Sequence, residues 1–106
     1  MRTISIICPH NLNKKYIAEI LISEFGYAKF KTNQFSVIMI EPNKEITIKL
    51  CSRKIEIMYS EFEGIRDVIN FIVDFGGKER LMIKTYDWRE RMNAFQLLNE
   101  KECIYI

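Results

Sequence analysis

Apolar and polar positions alternate with period two three times in the middle of the chain: Phe35, Val37 and Met39, then Ile46, Ile48 and Leu50, then Ile55, Ile57 and Tyr59. That period predicts three consecutive strands, each turning one face to a core. Glu41-Pro42-Asn43-Lys44 suits a tight turn, and the register it implies sets Met39 against Ile46, Val37 against Ile48 and Phe35 against Leu50. A second turn at Ser52-Arg53 sets Leu50 against Ile55, Ile48 against Ile57 and, on the other face, Lys49 against Glu56, an opposite-charge pair.

The flanks carry helical periods. Thr3 to Cys8 is an apolar run without such a period and reads as a strand that Pro9 ends. Tyr16, Ile17, Ile20, Leu21 and Phe25 then recur at helical spacing opposite Lys14, Lys15, Ser23 and Glu24, with Gly26 as a left-handed cap, so a helix is expected over 13–25. Behind the meander, Ser60 and Glu63 have the spacing of a capping box. They stand at the head of an apolar stripe, Phe62, Ile65, Val68, Ile69, Ile72 and Phe75, which Gly76-Gly77 closes. A strand over 80–86, a third helix carrying Trp88, Met92, Phe95 and Leu98, and a final strand over 103–106 complete the chain. The expected fold is a single α+β domain over 1–106: a mixed sheet built on a three-strand antiparallel meander, with three amphipathic helices in the order βαβββαβαβ.

Composition narrows the function classes. The chain has 106 residues, 48% of them hydrophobic, and a formal net charge of +2. That length buries a core without disulfides or a structural metal. Cys8, Cys51 and Cys103 lack C-x-x-C spacing and His10 is the single histidine, so no metal or other cofactor is expected and the setting reads as a reducing cytoplasm. Apolar runs stay far below the roughly 20 residues that span a bilayer, and Met1-Arg2 leads into a strand, so neither membrane insertion nor a signal peptide is expected. The charge is uneven, with nine Lys or Arg against four Glu in residues 1–54 and seven against ten acids in residues 55–106. Heavy use of Ile, Lys and Asn fits an AT-rich genome such as many phages and low-GC bacteria possess.

The one cluster with catalytic vocabulary is Cys8-Pro9-His10-Asn11, where a strand gives way to a helix and backbone amides can hold an anion or lower a thiol pKa. Residues 4–19, from Ile4 through Cys8, Asn11, Lys14 and Lys15 to Ala18-Glu19, resemble the phosphate loop of low-molecular-weight tyrosine phosphatases and related arsenate reductases. The likeness covers about the first 20 residues. Cys8, Asn11, Ala18 and Glu19 match that family's pattern, whereas Lys14 replaces its phosphate-clamping Arg and Lys15 its hydroxyl. The resemblance implies Cys8 as nucleophile, Lys14 as oxyanion clamp and Asp87 as general acid. A nucleotide-binding P-loop is excluded by the absence of glycine between strand and helix.

Two binding surfaces compete with that chemistry. Lys14, Lys15, Lys29 and Lys31, interleaved with Tyr16, Tyr27 and Phe30, combine phosphate contacts with aromatic faces and would serve a weak anion or nucleic-acid site. The second face of the meander carries Ile38, Ile40, Thr47 and Met58, too apolar for open solvent; either helices cover it or it is a partner or dimer face. The terminal strand with Ile104 and Ile106 extends that surface if it lies on a sheet edge, where a homodimer would pair. The sequence therefore reads as a small non-enzymatic interaction protein that binds and inhibits or regulates a host protein, as a phage or mobile-element product would. A Cys8-centred phosphate loop and a weak nucleic-acid binder are the alternatives.

Overall fold

A computed structural model of the chain describes residues 2–8, 10–75, 81–85 and 103–105. Strand β1 (Arg2–Ile7) leads through a loop to helix α1 (Lys14–Phe25). Four strands follow in sequence, β2 (Ala28–Thr32), β3 (Ser36–Glu41), β4 (Ile46–Cys51) and β5 (Lys54–Tyr59). A 3-10 turn over Phe62–Ile65 then feeds helix α2 (Arg66–Phe75), and β6 (Leu81–Thr85) and β7 (Cys103–Tyr105) complete the described elements. The fold is α+β. One sheet runs in the order β2-β3-β4-β5-β1-β6-β7; its first six strands are joined antiparallel and β7 lies parallel to β6 at the edge.

The period-two pattern builds the inner face of this sheet. Ile57 pairs with Ile48 on one side and Ile4 on the other, and Ile6 lies between Ile55 and Ile83. These side chains are all buried, together with Ile17, Ala18 and Leu21 of α1 and Val68, Ile69, Ile72 and Val73 of α2, so both described helices sit on this one face. Burying each of the Ile, Leu and Val side chains contributes about 1.5–3 kcal/mol, the largest favourable contribution to the fold. Between the helices Phe25 meets Phe71 at a ring distance of 5.7 Å, and Tyr16 stacks on Phe75 at 5.0 Å. Tyr16 is therefore a partly exposed seam residue, not a core residue.

Helix ends follow local chemistry. The Asn13 side chain accepts from the Tyr16 amide at the start of α1, and Gly26 closes it at φ 75°, where a side chain would be strained and would press on the Glu41 carboxylate. The capping box expected at Ser60 and Glu63 does not form. Ser60 Oγ instead donates to Glu45 Oε2 at 2.8 Å, Glu63 pairs with Arg66, and the chain enters α2 through the 3-10 turn.

Three further expectations are corrected. The order βαβββαβαβ omits β2, which lies between the first helix and the meander. The second hairpin has the expected register, with Lys49 opposite Glu56, but the first is displaced by two residues: Met39 faces Ile48 and Val37 faces Leu50. The cause is a longer connection, in which Pro42–Lys44 coil as a 3-10 turn, Glu41 accepts from the Asn43 amide, and Glu45 takes a left-handed conformation at φ 54°. A shift of two keeps every side chain on its face, so the core composition survives. Phe35 is the exception: it precedes β3 and is 71% exposed instead of facing Leu50. The third helix expected from Trp88 to Leu98 lies outside the described residues.

Candidate functional site

Antiparallel pairing gathers three connections at one end of the sheet: the loop after β1, the β2–β3 turn and the β4–β5 turn. Of the chain segments that reach this end, 10–18, 25–40 and 46–55 contain no Asp or Glu and supply Lys14, Lys15, Lys29, Lys31, Lys49, Arg53 and Lys54, while Glu56 pairs with Lys54 and the last turn of α2, stacked on Tyr16 through Phe75, carries Asp74. Part of the positive half of the sequence thus meets at this end, whereas Arg2 and Lys44 lie at the other.

The loop after β1 is bound to its neighbours. The Cys8 amide donates to the Arg53 carbonyl at 2.8 Å and the Leu12 amide to the Ser52 carbonyl at 2.7 Å, while Asn11 Oδ1 accepts from Arg53 Nε at 3.3 Å. Two amides at the ends of this loop, of Cys8 and Leu12, are thus spent on the adjacent turn and not aimed at an anion. Cys8 itself is 3% exposed, and a nucleophilic thiolate needs access. Lys14 Nζ donates to the Phe35 carbonyl at 3.4 Å, fastening α1 to the β2–β3 turn. Asp87 lies outside the described residues. Nothing in this arrangement supports the phosphate-loop chemistry, and among the described residues no group of His, Cys, Asp or Glu is placed to hold a metal ion.

At the opposite end a cleft of about 380 Å³ is lined by Pro42, Asn43, Lys44, Glu45, Ser60, Glu61 and Gly64. Its charges are mixed, and the Ser60–Glu45 hydrogen bond engages the Ser60 hydroxyl and one oxygen of the Glu45 carboxylate. Next to it in the chain, Glu41 is buried, and the buried Tyr27 hydroxyl has no hydrogen-bond partner among the described residues. Burial, reinforced by the Glu41 charge, pushes the Tyr27 phenol well above its ordinary value of 10.0. A folded pKa raised above the unfolded one means stability is fully present below about pH 10 and falls as pH rises further, by up to about 1.4 kcal/mol per pH unit. The Tyr27→Phe protein is expected to lose less stability between pH 9 and pH 11 than the parent, as read by urea unfolding; equal losses would contradict this coupling.

The outer face of the sheet does bring the expected apolar residues together. Ile38 and Ile40 of β3, Thr47 of β4 and Met58 of β5 lie on neighbouring strands, with Ile40 opposite Thr47 and Thr47 opposite Met58. All four are half-buried. The backbone of Ile104 pairs with that of Met82 on the edge strand β7; Ile106 is outside the described residues.

The exposed apolar groups are elsewhere. All five residues of β2 are exposed, and among the described residues β2 pairs only with β3, so its other side is an open edge of the described sheet. Phe30 on this strand is 67% exposed and Phe35 of the adjoining turn 71%. Asn33 holds that turn, its Oδ1 accepting from the Phe35 and Ser36 amides at 2.7 and 2.9 Å. Ile40 and Ile38 are the pairing partners of Ala28 and Lys31, so the half-buried apolar patch adjoins this edge. Lys29 and Lys31 were expected as nucleic-acid contacts on an unassigned segment; the structure puts them on a strand. The alternation Lys29, Phe30, Lys31, Thr32 between Gly26 and Asn33 was the available signal for it.

No helix among the described residues is long and apolar enough to cross a membrane. Comparison of the chain with protein-family models, with curated proteins and with solved structures finds no match in any of the three.

Proposed function

We propose that the chain is a small non-enzymatic interaction protein that engages another protein through the β2 side of its sheet. The observation that carries this reading is the pair of large aromatic side chains, Phe30 and Phe35, held in solvent beside an open sheet edge and next to Ile38 and Ile40. Aromatic residues on a fixed scaffold supply contact area at low cost in conformational entropy and recur as binding hot spots. The buried Cys8 and its engaged loop amides favour this reading over an enzyme, and the net charge of +2 favours a protein over a nucleic acid as the partner. Inhibition or regulation of a host protein by a mobile-element product is the setting that the Ile, Lys and Asn usage supports.

The test compares affinity capture by the parent protein and by the Phe30→Ala/Phe35→Ala variant from nuclease-treated lysate of the producing cell. A discrete protein held by the parent and lost with the variant is expected, while the exposed positions leave the melting temperature within a few degrees of the parent's. The same proteins retained by both, or binding that nuclease removes, would overturn the reading.

A further inference from the structure

We infer that the open edge of β2 takes an extended acidic segment of the partner protein as an added strand; this rests on the proposed function and names the chemistry of its contact. An edge strand presents unpaired backbone N–H and C=O groups that only another polypeptide can match in direction and spacing. The side chains decide which polypeptide. Lys29 and Lys31 form no ion pair among the described residues, and no acid occurs between Glu24 and Glu41. Lys14 adds its charge at the turn, where its ammonium bonds the Phe35 carbonyl. A strand laid along β2 therefore meets positive charge on both faces of the sheet, Lys29 beside Met39 and Lys31 beside Ile38, and acidic side chains of the added strand would offset it.

The same charges argue against a second copy as the occupant. Two β2 strands side by side gather Lys29 and Lys31 of both copies, four ammonium groups, along one five-residue seam, and like charges gathered across a strand pair destabilise it. The register slip between Lys29 and Lys31 leaves Phe30 as the extra residue of a bulge. A bulge and edge lysines are devices that block indiscriminate pairing while leaving a complementary acidic strand admissible. Phe30 and Phe35 then flank the added strand and supply its apolar contacts.

The test titrates the full chain with an acetylated, amidated octapeptide of alternating Glu and Val, followed by backbone amide NMR and hydrogen exchange. Saturable shifts confined to β2, its turn and β3 are expected, with slowed exchange of β2 amides. Affinity should fall about tenfold in the Lys29→Glu/Lys31→Glu variant and also on raising salt from 50 to 500 mM. An octapeptide of alternating Glu and Pro keeps the charge, cannot supply the strand donors, and should not bind. Equal binding of the Glu-Pro peptide or of a Lys-Val peptide, absence of saturable shifts, or tighter binding of an oligothymidylate would overturn the inference. Peptide failure alongside capture that depends on Phe30 and Phe35 would leave the proposed function standing without it. Peptide binding without such capture would do the reverse.

Discussion

Replacing Ile57 by alanine is expected to destabilise the fold by about 2–5 kcal/mol, a large part of the 5–15 kcal/mol that holds a typical domain together. Ile57 is fully buried at the crossing of the inner sheet face, between Ile4 on β1 and Ile48 on β4. Both neighbours are fixed by strand ladders on either side, so the space vacated by the side chain cannot close by local collapse. The cost includes the lost transfer free energy and the cavity left behind. Urea unfolding should show a lower midpoint with an unchanged slope. Met58, the next residue, points to the half-buried outer face, and Met58→Ala should cost distinctly less. Equal costs at the two positions would contradict the assignment of inner and outer faces.

The second large effect separates the two sides of α1. Leu21 is fully buried in the core shared with the sheet and α2, whereas its neighbour Ile22 is 45% exposed. Leu21→Ala should therefore cost about 3 kcal/mol or more, and Ile22→Ala less than about 1 kcal/mol. Two aliphatic residues adjacent in sequence thus give a several-fold contrast that helix propensity alone cannot produce, because alanine is the better helix former at both sites. A reversed order in thermal or urea unfolding would mean that α1 docks through another face.

The core of this fold was legible in the sequence because burial imposes a period. Ile46, Ile48, Leu50, Ile55, Ile57 and Tyr59 face inward as their alternation requires, and Ile17 and Leu21 do so at helical spacing. Register was less legible where turn geometry decided it. Pro42 is compatible with a two-residue turn and with the 3-10 turn that forms, and only the buried Glu41 carboxylate bonding the Asn43 amide selects the latter. Ser60 misled for a related reason: its hydroxyl has a longer-range acceptor in Glu45, and a tertiary hydrogen bond outcompetes a local cap of similar strength.

The candidate surface was legible only in part. Apolar residues on the outer face could be paired from the pattern, and Ile38, Ile40, Thr47 and Met58 do adjoin one another. The exposed strand β2 is hard to read because an edge strand faces no core, so its alternation is only five residues long and holds one large apolar side chain, Phe30. Phe35 was assigned inward by extending the alternation of β3 one step too far, past the point where Asn33 reverses the chain. Resemblance of the Cys8 loop to a phosphate-binding loop concerned residue types; what Arg53 and Ser52 contribute from the β4–β5 turn is set by strand pairing and is invisible locally.

The central claim, that this protein works by holding another protein at the β2 side of its sheet, is tested most directly by site-specific photocrosslinking in the producing cell. A photoreactive side chain is placed at Phe30 in one protein and, as the control, at the likewise exposed Ile22 of α1 in another. The account predicts one discrete protein adduct from position 30, resistant to nuclease and absent from position 22. Adducts of the same identity and yield from both positions, adducts to nucleic acid, or none from position 30 would contradict it.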